Sequence, residues 1–336
     1  MVKNLLSKIK LDRFVLAIIL VVVLAYFFPD LGSKDSKVPL GTISSVGISL
    51  IFFFYGLKLS PEKIKTGLKN WKLHILVQVS VFLFFPLIVL AFYPTFGTGE
   101  TENIWLAFLF MAALPSTVSS SVVMVSLAKG NVPAAIFNAS ISGLIGIVLT
   151  PLWVGIFLEQ KAGEFSLMDV YVKLLTEILL PVILGLFLNR YLGKYAARYS
   201  SYLTLFDKSV ILLIIYKSFV HSFEDKVFVS VDLKDMFLIY IGVLAIFFLI
   251  YFTIGFISNK LGFDKEDKIT AQFCGTKKSL VHGTVFSKIL FPASMPTGII
   301  LLPLMLFHAT QILIISVLAT RMGNDTVKRS IKSELG

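Results

Sequence analysis

The sequence predicts an all-α polytopic membrane protein, and three observations carry that prediction. The 336-residue chain is 56% hydrophobic and only 15% charged, with a mean hydropathy of +0.86, which is outside the composition of soluble globular domains. Apolar runs of about 20 residues, the length that crosses a bilayer as a helix, recur along the chain. Lysine and arginine collect in the segments between these runs. The lipid bilayer is therefore the first expected partner.

The positive charge has two interpretations. The formal net charge is +11, which would also suit a nucleic-acid-binding protein. The basic residues lie in separate clusters that flank apolar runs, as the positive-inside rule describes, and they form no single stripe. We therefore predict no nucleic-acid partner. The single cysteine, Cys274, excludes an intramolecular disulfide and a cysteine-rich metal site.

Ten apolar segments are long enough to cross a membrane. The first follows a basic N-terminal stretch and so resembles a signal peptide, but no small-residue cleavage pattern follows it, and we expect it to remain as a helix. The predicted spans cover residues 14–30, 40–59, 71–92, 103–128, 132–158, 169–191, 205–222, 234–259, 268–291 and 296–320.

The two sides of the membrane differ in basic residues. The N-terminus, the connection after the second span and the C-terminal segment are rich in lysine and arginine, whereas the opposite connections carry fewer of them and more acids. The positive-inside rule then places both termini in the cytoplasm. We expect a protein of the bacterial inner (plasma) membrane, as a monomer or a weak homodimer.

Ten spans divide into two halves of five. Because five is odd, the second half is inverted relative to the first, and inverted repeats are common in secondary transporters. The predicted halves are residues 1–158 and 159–322, with a cytoplasmic tail at 323–336.

The fourth and ninth spans occupy corresponding positions in the two halves. Each contains residues that disfavour an uninterrupted helix. Pro115 removes a backbone donor, and the hydroxyls after it compete for backbone groups. Gly275 loosens the ninth span in the same way. Irregular backbone survives at membrane depth only inside protein or beside a wet cavity. The predicted binding residues at these breaks are Ser116, Thr117, Ser119, Ser120, Ser121, Thr276, Lys277, Lys278 and Ser279.

The adjacent lysines of the ninth span are the most unusual feature of the chain. A lysine at the centre of a bilayer costs roughly 2.5–3.5 kcal/mol on insertion scales. Lys277 lies about 13 Å beyond Lys268 at helical rise, which is close to the middle of the bilayer. One interpretation gives Lys277 or Lys278 a role as a fixed cation or a substrate contact. The other has their side chains reach back to the cytoplasmic surface.

Three short motifs carry a resemblance to a known family. They are PSTVSSS at residues 115–121, KGNVPAA at 129–135 and CGTKKSL at 274–280. In these motifs the sequence resembles the bile acid:sodium symporter superfamily, in particular its divergent branch with a CGxKKSL motif. The resemblance implies a panel of the first, second, sixth and seventh helices and a core of the third to fifth and eighth to tenth. It also implies that the broken fourth and ninth helices cross in the core, beside two sodium ions, with substrate between core and panel.

The sodium sites implied by the resemblance are altered in this chain. Phe273 stands where the family has a carboxylate, and Lys277 and Lys278 replace a Gln-Asn pair. Protonated ammonium groups repel a cation and offer it no lone pair. The matching oxygen ligands that remain for a sodium ion are Gln78, Ser120, Ser121 and Ser142, with Asn138 and Ser140 in the same stretch. A residual sodium site and a tethered ammonium in its place both stay open.

Other titratable residues lie within the spans. Glu177 is either a proton site or counter-charge to a lysine of the ninth helix, or it pairs with Lys173 four residues earlier, which is the simpler interpretation. His282 and His308 are either proton carriers or hydrogen-bonded core residues. His74 is expected at the membrane interface.

The function that best fits these patterns is secondary active transport of a small organic anion by alternating access. The sequence has no paired intramembrane aspartates, no HExxH motif and no GxxxxGK[ST] loop, so an enzyme or an ATP-driven pump is not predicted. Apart from a doubtful sodium ion, no cofactor is expected. The alternatives are a non-transporting membrane sensor or regulator with the same fold, and a channel.

Overall fold

The computed structural model describes residues 13–33, 36–58, 70–117, 119–158, 167–224, 233–292 and 295–334, and the regular structure within these ranges is helical. We number the helices in chain order and count a π-turn inside a helix as part of it. They are α1 Arg13–Phe27, α2 Leu40–Lys58, α3 Trp71–Ala91, α4 Glu102–Ala113, α5 Ser119–Leu127, α6 Val132–Leu158, α7 residues 167–198, α8 Ser200–Glu224, α9 Leu233–Lys260, α10 Lys265–Gly275, α11 Leu280–Leu290 and α12 Thr297–Glu334.

Six helical segments of the described chain are long and apolar enough to cross a bilayer. They are Leu40–Lys58, Trp71–Ala91, Val132–Leu158, Val172–Arg198, Lys234–Lys260 and Thr297–Asn324. Shorter apolar helices cover Leu16–Phe27 and Glu102–Ala113. The prediction of an all-α, polytopic integral membrane protein is therefore confirmed.

Most helices lie close to their predicted spans, and three extend clearly past them. Helix α7 ends at Arg198, where the span was expected to end at 191, and α8 begins at Ser200, where the span was expected to begin at 205. The last span was expected to end at residue 320, followed by a tail from 323, but α12 continues as one helix from Thr297 to Glu334. The segment after residue 320 is polar and includes two arginines and two lysines, which favour helix.

Two helices contain a π-turn that precedes a proline. In α3 the π-turn covers Ser80–Phe84, and the N–H of Phe85 donates to the carbonyl of Ser80. In α7 it covers Leu175–Leu179, and the N–H of Leu180 donates to the carbonyl of Leu175. In each case the following residue is a proline, which has no N–H. One carbonyl inside each turn thus loses its backbone donor.

The helices pack in two groups. In the four-helix group, α2 packs along α7, and α8 packs on α1 and α2. In the larger group, α12 packs against α4, α9 and α11, α10 lies against α9 and α3, and α6 lies against α4 and α5. The principal contacts between the groups join α11 to α7 and α8, and α12 to α8.

Two glycines permit the close approach of α2 and α7. A Cβ atom on Gly185 would lie 2.2 Å from the carbonyl oxygen of Phe53 and 3.0 Å from the Cα of Gly56. A Cβ on Gly56 would lie 2.2 Å from the carbonyl oxygen of Val182. Small residues that let backbones approach are typical of membrane helix interfaces.

We expect Gly185→Ala to destabilise the four-helix group. The new methyl group meets backbone atoms that cannot rotate away, so the helices must separate, at about 1–3 kcal/mol. The measurement is thermal unfolding of the purified protein in detergent. Leu184→Ala is the matched control, because Leu184 lies on the same helix and is 48% exposed. Equal shifts in the two melting temperatures would contradict the close packing.

Candidate functional site

The interruptions of the two broken helices bond to each other. The first separates α4 from α5, with Leu114 in an extended conformation, and the second separates α10 from α11. The N–H of Ser279 donates to the carbonyl of Pro115 at 2.9 Å. The hydroxyl of Ser116 donates to the carbonyl of Cys274 at 2.7 Å. Each break thereby satisfies backbone groups that the other leaves without a helical partner.

Helix α6 supports the first break. The hydroxyl of Ser142 accepts from the N–H of Ser116 at 3.0 Å. The hydroxyl of Thr150 donates to the carbonyl of Ala113 at 2.8 Å. A Cβ on Gly146 would lie 2.8 Å from the ring of Pro115, so the helix approaches the proline closely. The backbone groups released by Pro115 are thus held by two side chains of a neighbouring helix.

Helices α3 and α12 support the second break. The hydroxyl of Ser80 donates to the carbonyl of Gly275 at 3.1 Å. The side-chain amide of Gln311 makes two bonds to the backbone of Lys278, accepting from its N–H and donating to its carbonyl, both at 2.8 Å. Thr276 donates its hydroxyl back to the carbonyl of Gln272 at 2.6 Å. The unwound segment is therefore fixed on both sides.

The ammonium of Lys278 binds three backbone carbonyls. Its Nζ lies 2.7 Å from the oxygen of Val81, 2.6 Å from that of Ala112 and 2.9 Å from that of Leu114. It also lies 4.1 Å from the centroid of the Phe85 ring, a cation–π distance. The side chain is fully buried. All three N–H bonds of the ammonium have an acceptor, so the charge is solvated by the protein.

The local sequence explains why these carbonyls are free. In α3 an α-helical bond would join the carbonyl of Val81 to the N–H of Phe85, but that N–H bonds to Ser80 in the π-turn. The next donor along the chain would be Pro86, which has none. Ala112 and Leu114 lie at the C-terminal end of α4, where the last carbonyls have no helical donor. The negative end of the α4 dipole also favours a cation there.

Lys277 has a different environment. Its Nζ donates to the carbonyl of Ser120 at 2.9 Å, and its side chain is fully buried. Among the described residues this is its one hydrogen bond, so two of its N–H groups have no described acceptor. Unwinding of residues 276–279 lets the two lysine side chains reach different neighbours. Both lysine side chains are fully buried and end on backbone carbonyls, so neither reaches out to the surface of the protein as the second interpretation required.

The hydroxyls after Pro115 form a cluster of their own. Thr117 Oγ1 lies 2.8 Å from the hydroxyl of Ser120 and 2.9 Å from that of Ser121. The side chain of Ser119 lies outside the described side chains. Ser279 caps α11 by accepting from the N–H of His282, and its hydroxyl is 2.9 Å from Nδ1 of that histidine.

The remaining predicted residues lie on a separate polar line along α3 and α6. Gln78 donates to the side chain of Asn138 at 3.2 Å, and Asn138 contacts Nδ1 of His74 at 2.9 Å. The side chain of His74 is buried among the helices, where Asn138 is its partner. Its placement at the depth of the membrane interface stays a prediction. The carbonyl of Ser140 accepts from the hydroxyl of Tyr55 at 2.5 Å.

The four residues expected to bind sodium do not bond to one another. Gln78 binds Asn138, Ser142 binds the backbone of Ser116, and Ser120 and Ser121 bind Thr117. The side-chain oxygen of Gln78 is buried and has no described partner. A sodium ion at these residues stays a prediction.

A cavity of about 290 Å³ lies between the two helix groups. It extends from the breaks, at Thr117 and Ser279, to the end of α2 and the start of α8, at Lys58 and Ser200. Lys58 and Asp207 form an ion pair on its wall at 3.6 Å. The polar residues that line it are Tyr55, Lys58, Thr117, Ser120, Ser200, Thr204, Asp207, Lys208, Ser279, His282 and His308.

Two residues of the site, Gln311 and Ser80, were not predicted. Gln311 is an isolated amide in an apolar helix, and Ser80 is a single hydroxyl in another. Their partners are backbone atoms that belong to other helices, which no local pattern specifies. A polar side chain at mid-span is the only signal that could have marked them.

The interrupted helices and the cavity beside them are the features of a secondary transporter of the membrane. The comparison with known families agrees, because the chain matches the SBF-like CPA transporter family over residues 12–324. The chain belongs to that family, and so to the bile acid:sodium symporter superfamily.

Three relatives illustrate the similarity. A protein of Pseudomonas aeruginosa with no named activity is 38% identical over 92% of each chain. A protein of Escherichia coli K12, named "Putative symporter YfeH", is 35% identical over 96% of each chain. Sodium/bile acid cotransporter 7-B of Xenopus laevis is 32% identical over 97% of this chain and 96% of its own. The match therefore covers nearly the whole protein.

Proposed function

We propose that this protein is a secondary active transporter that moves an organic anion across the bacterial inner membrane by alternating access, with the ammonium of Lys278 in place of a coupling cation. The observation that carries the proposal is the triple carbonyl coordination of Lys278 Nζ at the helix crossing. Backbone carbonyls at broken helices are the ligands that coupling cations use in secondary transporters.

The proposed architecture has ten membrane crossings in two inverted halves of five. Two of the crossings are the broken pairs α4 with α5 and α10 with α11. The four-helix group (α1, α2, α7 and α8) would be the panel, and the larger group the core. Both termini would lie in the cytoplasm, on the side where Lys58, Lys194, Arg198 and Lys260 end or connect helices.

The charge around the cavity suits an anion. Helices α5 and α11 begin at the breaks, beside Thr117 and Ser279 of the cavity wall, and helix N-termini favour negative charge. Lys277 has a single described acceptor, the carbonyl of Ser120, a residue of that wall. We propose that Lys277 contacts the substrate, whereas Lys278 stays bound to its carbonyls.

A fixed ammonium at the crossing makes a sodium ion unnecessary there. Two positive charges at the same position would repel each other, and the three carbonyls are already occupied. We therefore propose transport that does not require sodium.

The test is uptake into proteoliposomes of radiolabelled taurocholate and a panel of small organic carboxylates. Each would be assayed with a sodium gradient, a proton gradient or neither. We expect uptake of at least one anion at a rate indifferent to sodium. Sodium-dependent uptake that Ser121→Ala or Gln78→Ala abolishes would instead support the residual sodium site. Saturable binding without uptake would support a non-transporting sensor.

A further inference from the structure

A second set of lysines lies between the two helix groups, at the end of α2 opposite to Lys58 of the cavity wall. Lys288, near the end of α11, donates to the carbonyl of Gly41 at 2.8 Å and to the hydroxyl of Ser45 at 2.7 Å. Gly41 and Ser45 belong to the first turns of α2, whereas the cavity reaches Lys58 at its last residue. Lys288 therefore connects the larger helix group to the four-helix group at the end of α2 away from the cavity.

A second bond crosses between the groups at the same end. The N–H of Gly298, at the start of α12, donates to the hydroxyl of Ser222 near the end of α8 at 3.0 Å. By the proposed orientation this is the extracytoplasmic end. Hydrogen bonds thus bridge the two groups on that side, whereas the lining of the cavity reaches the other end of α2.

Positive charge accumulates around the Lys288 bridge. A Cβ on Gly41 would lie 3.2 Å from Nζ of Lys217, so two ammonium groups approach the same glycine. The nearest charge of opposite sign is Glu177, which acts on Lys288 more strongly than the like charges of Lys217 and Lys173 do. Among the described side chains, which do not include that of Asp169, no carboxylate lies within 4 Å of any of these three lysines. The described charges at this end are therefore three cations and one acid, Glu177.

The expected pair between Lys173 and Glu177 is not formed within 4 Å, and the π-turn at Leu175–Leu179 explains why. Residues four apart share a face in an α-helix, but the wider π-turn between them shifts that angle. Glu177 is instead close enough to act on Lys288, a lysine of the ninth span, as the alternative interpretation held.

Like charges in a partly dehydrated space repel each other, and an anion between them would relieve that repulsion. We infer that Lys288, Lys217 and Lys173 form an entry site for the anionic substrate, at which an oxygen of the anion replaces Gly41 and Ser45 as the acceptor for Lys288. The identity of the anion as the transported substrate rests on the proposed function. Loss of the two bonds to α2 would release α11 and so link arrival of the anion to opening of this end.

The ligand class is a soluble organic anion with a carboxylate or sulfonate group. A lipid headgroup offers similar oxygens, but Lys288 lies between the two helix groups, since α11 contacts α7 and α8 and Lys288 bonds to α2. A soluble molecule reaches such a crevice more readily than a lipid does. The test below separates the two sources.

The experiment measures the reaction of a cysteine at the site with charged reagents. Ser45→Cys places a thiol beside Lys288, and the native Cys274 is fully buried, so the unmodified chain serves as the blank. The reagents are sulfonatoethyl methanethiosulfonate, an anion, and its trimethylammonium counterpart, a cation. The rate with the anionic reagent is divided by the rate with the cationic reagent, and this ratio is normalised to the ratio for a free thiol. We expect the normalised ratio to exceed one.

Removal of either nearby lysine should lower this preference. Lys288→Gln and Lys217→Gln in the Ser45→Cys background are each expected to reduce the ratio roughly tenfold, the lower end of electrostatic effects on the rate of approach. Lys58→Gln, at the other end of α2, is the matched control and should leave it unchanged. An unchanged ratio in both site variants, with the proteins monodisperse, would overturn the inference.

Two further arms complete the test. In nanodiscs, loss of the anion preference on changing phosphatidylcholine to phosphatidylglycerol would show that a lipid headgroup occupies the site, and would overturn the soluble ligand. Uptake is measured on the same variants. If no anion is taken up but the thiol still reacts faster with the anionic reagent, the proposed function alone is contradicted. If uptake is normal but the thiol shows no preference for the anionic reagent, the entry site alone is contradicted.

Discussion

Replacement of Lys278 by alanine is expected to abolish uptake and to make the stability of the protein depend on added cations. The substitution removes the donor from three buried carbonyls, of Val81, Ala112 and Leu114. An unsatisfied buried polar group costs about 1–3 kcal/mol, so the loss is large. It also leaves a space lined by oxygen atoms, which a small cation can enter.

The measurement is thermal unfolding of Lys278→Ala in choline chloride, sodium chloride and methylammonium chloride. We expect a lower melting temperature than that of the native protein in choline, and partial recovery with methylammonium or sodium. The native protein should respond to neither, since its own ammonium occupies the carbonyls. Lys277→Ala is the control, because Lys277 donates to a single described acceptor. Recovery of both variants to the same extent would refute the assignment of Lys278 as the cation.

Gln311→Met is expected to have the second largest effect. The amide of Gln311 satisfies both the N–H and the carbonyl of Lys278 in the unwound segment. Methionine has a similar volume but offers neither a donor nor a strong acceptor, so two buried backbone groups are left unpaired. At about 1–3 kcal/mol for each group, we expect a destabilisation of several kcal/mol.

We also expect Gln311→Met to lower the rate of uptake, because the segment that carries Lys277 and Lys278 is no longer fixed. Melting temperature and uptake of the anion identified for the native protein are the readouts. Leu313→Ala, two residues along α12 and 37% exposed, is the comparison for an ordinary substitution in the same helix. A Gln311→Met protein as stable and active as Leu313→Ala would contradict the role assigned to the amide.

The sequence predicts the breaks because their causes are local. Pro115 lacks a donor and Gly275 weakens a helix, and each acts wherever the chain is placed. The partners of the breaks are not local. Whether Lys278 meets Val81 depends on how α3 lies against α10 and α11, and this follows from packing over the whole core.

The contacts of Lys288 could not be predicted from the local sequence either. Near the end of a predicted span it is an ordinary membrane-edge lysine, and only its approach to Gly41, 247 residues earlier in the chain, gives it a specific meaning. The burial of His74 has a related cause. Its partner Asn138 comes from α6, and this polar contact between helices holds the histidine side chain inside the protein.

The covalent attachment of Lys278 has a consequence for the conditions in which the protein works. An ion that binds from solution occupies its site in proportion to its concentration, whereas a tethered group is present at a constant effective concentration. It pays no translational entropy to bind and does not diffuse away. In such a transporter the crossing of the two broken helices would keep the same structure in fresh water and in brine. The driving force for transport would have to come from the substrate gradient or from another ion.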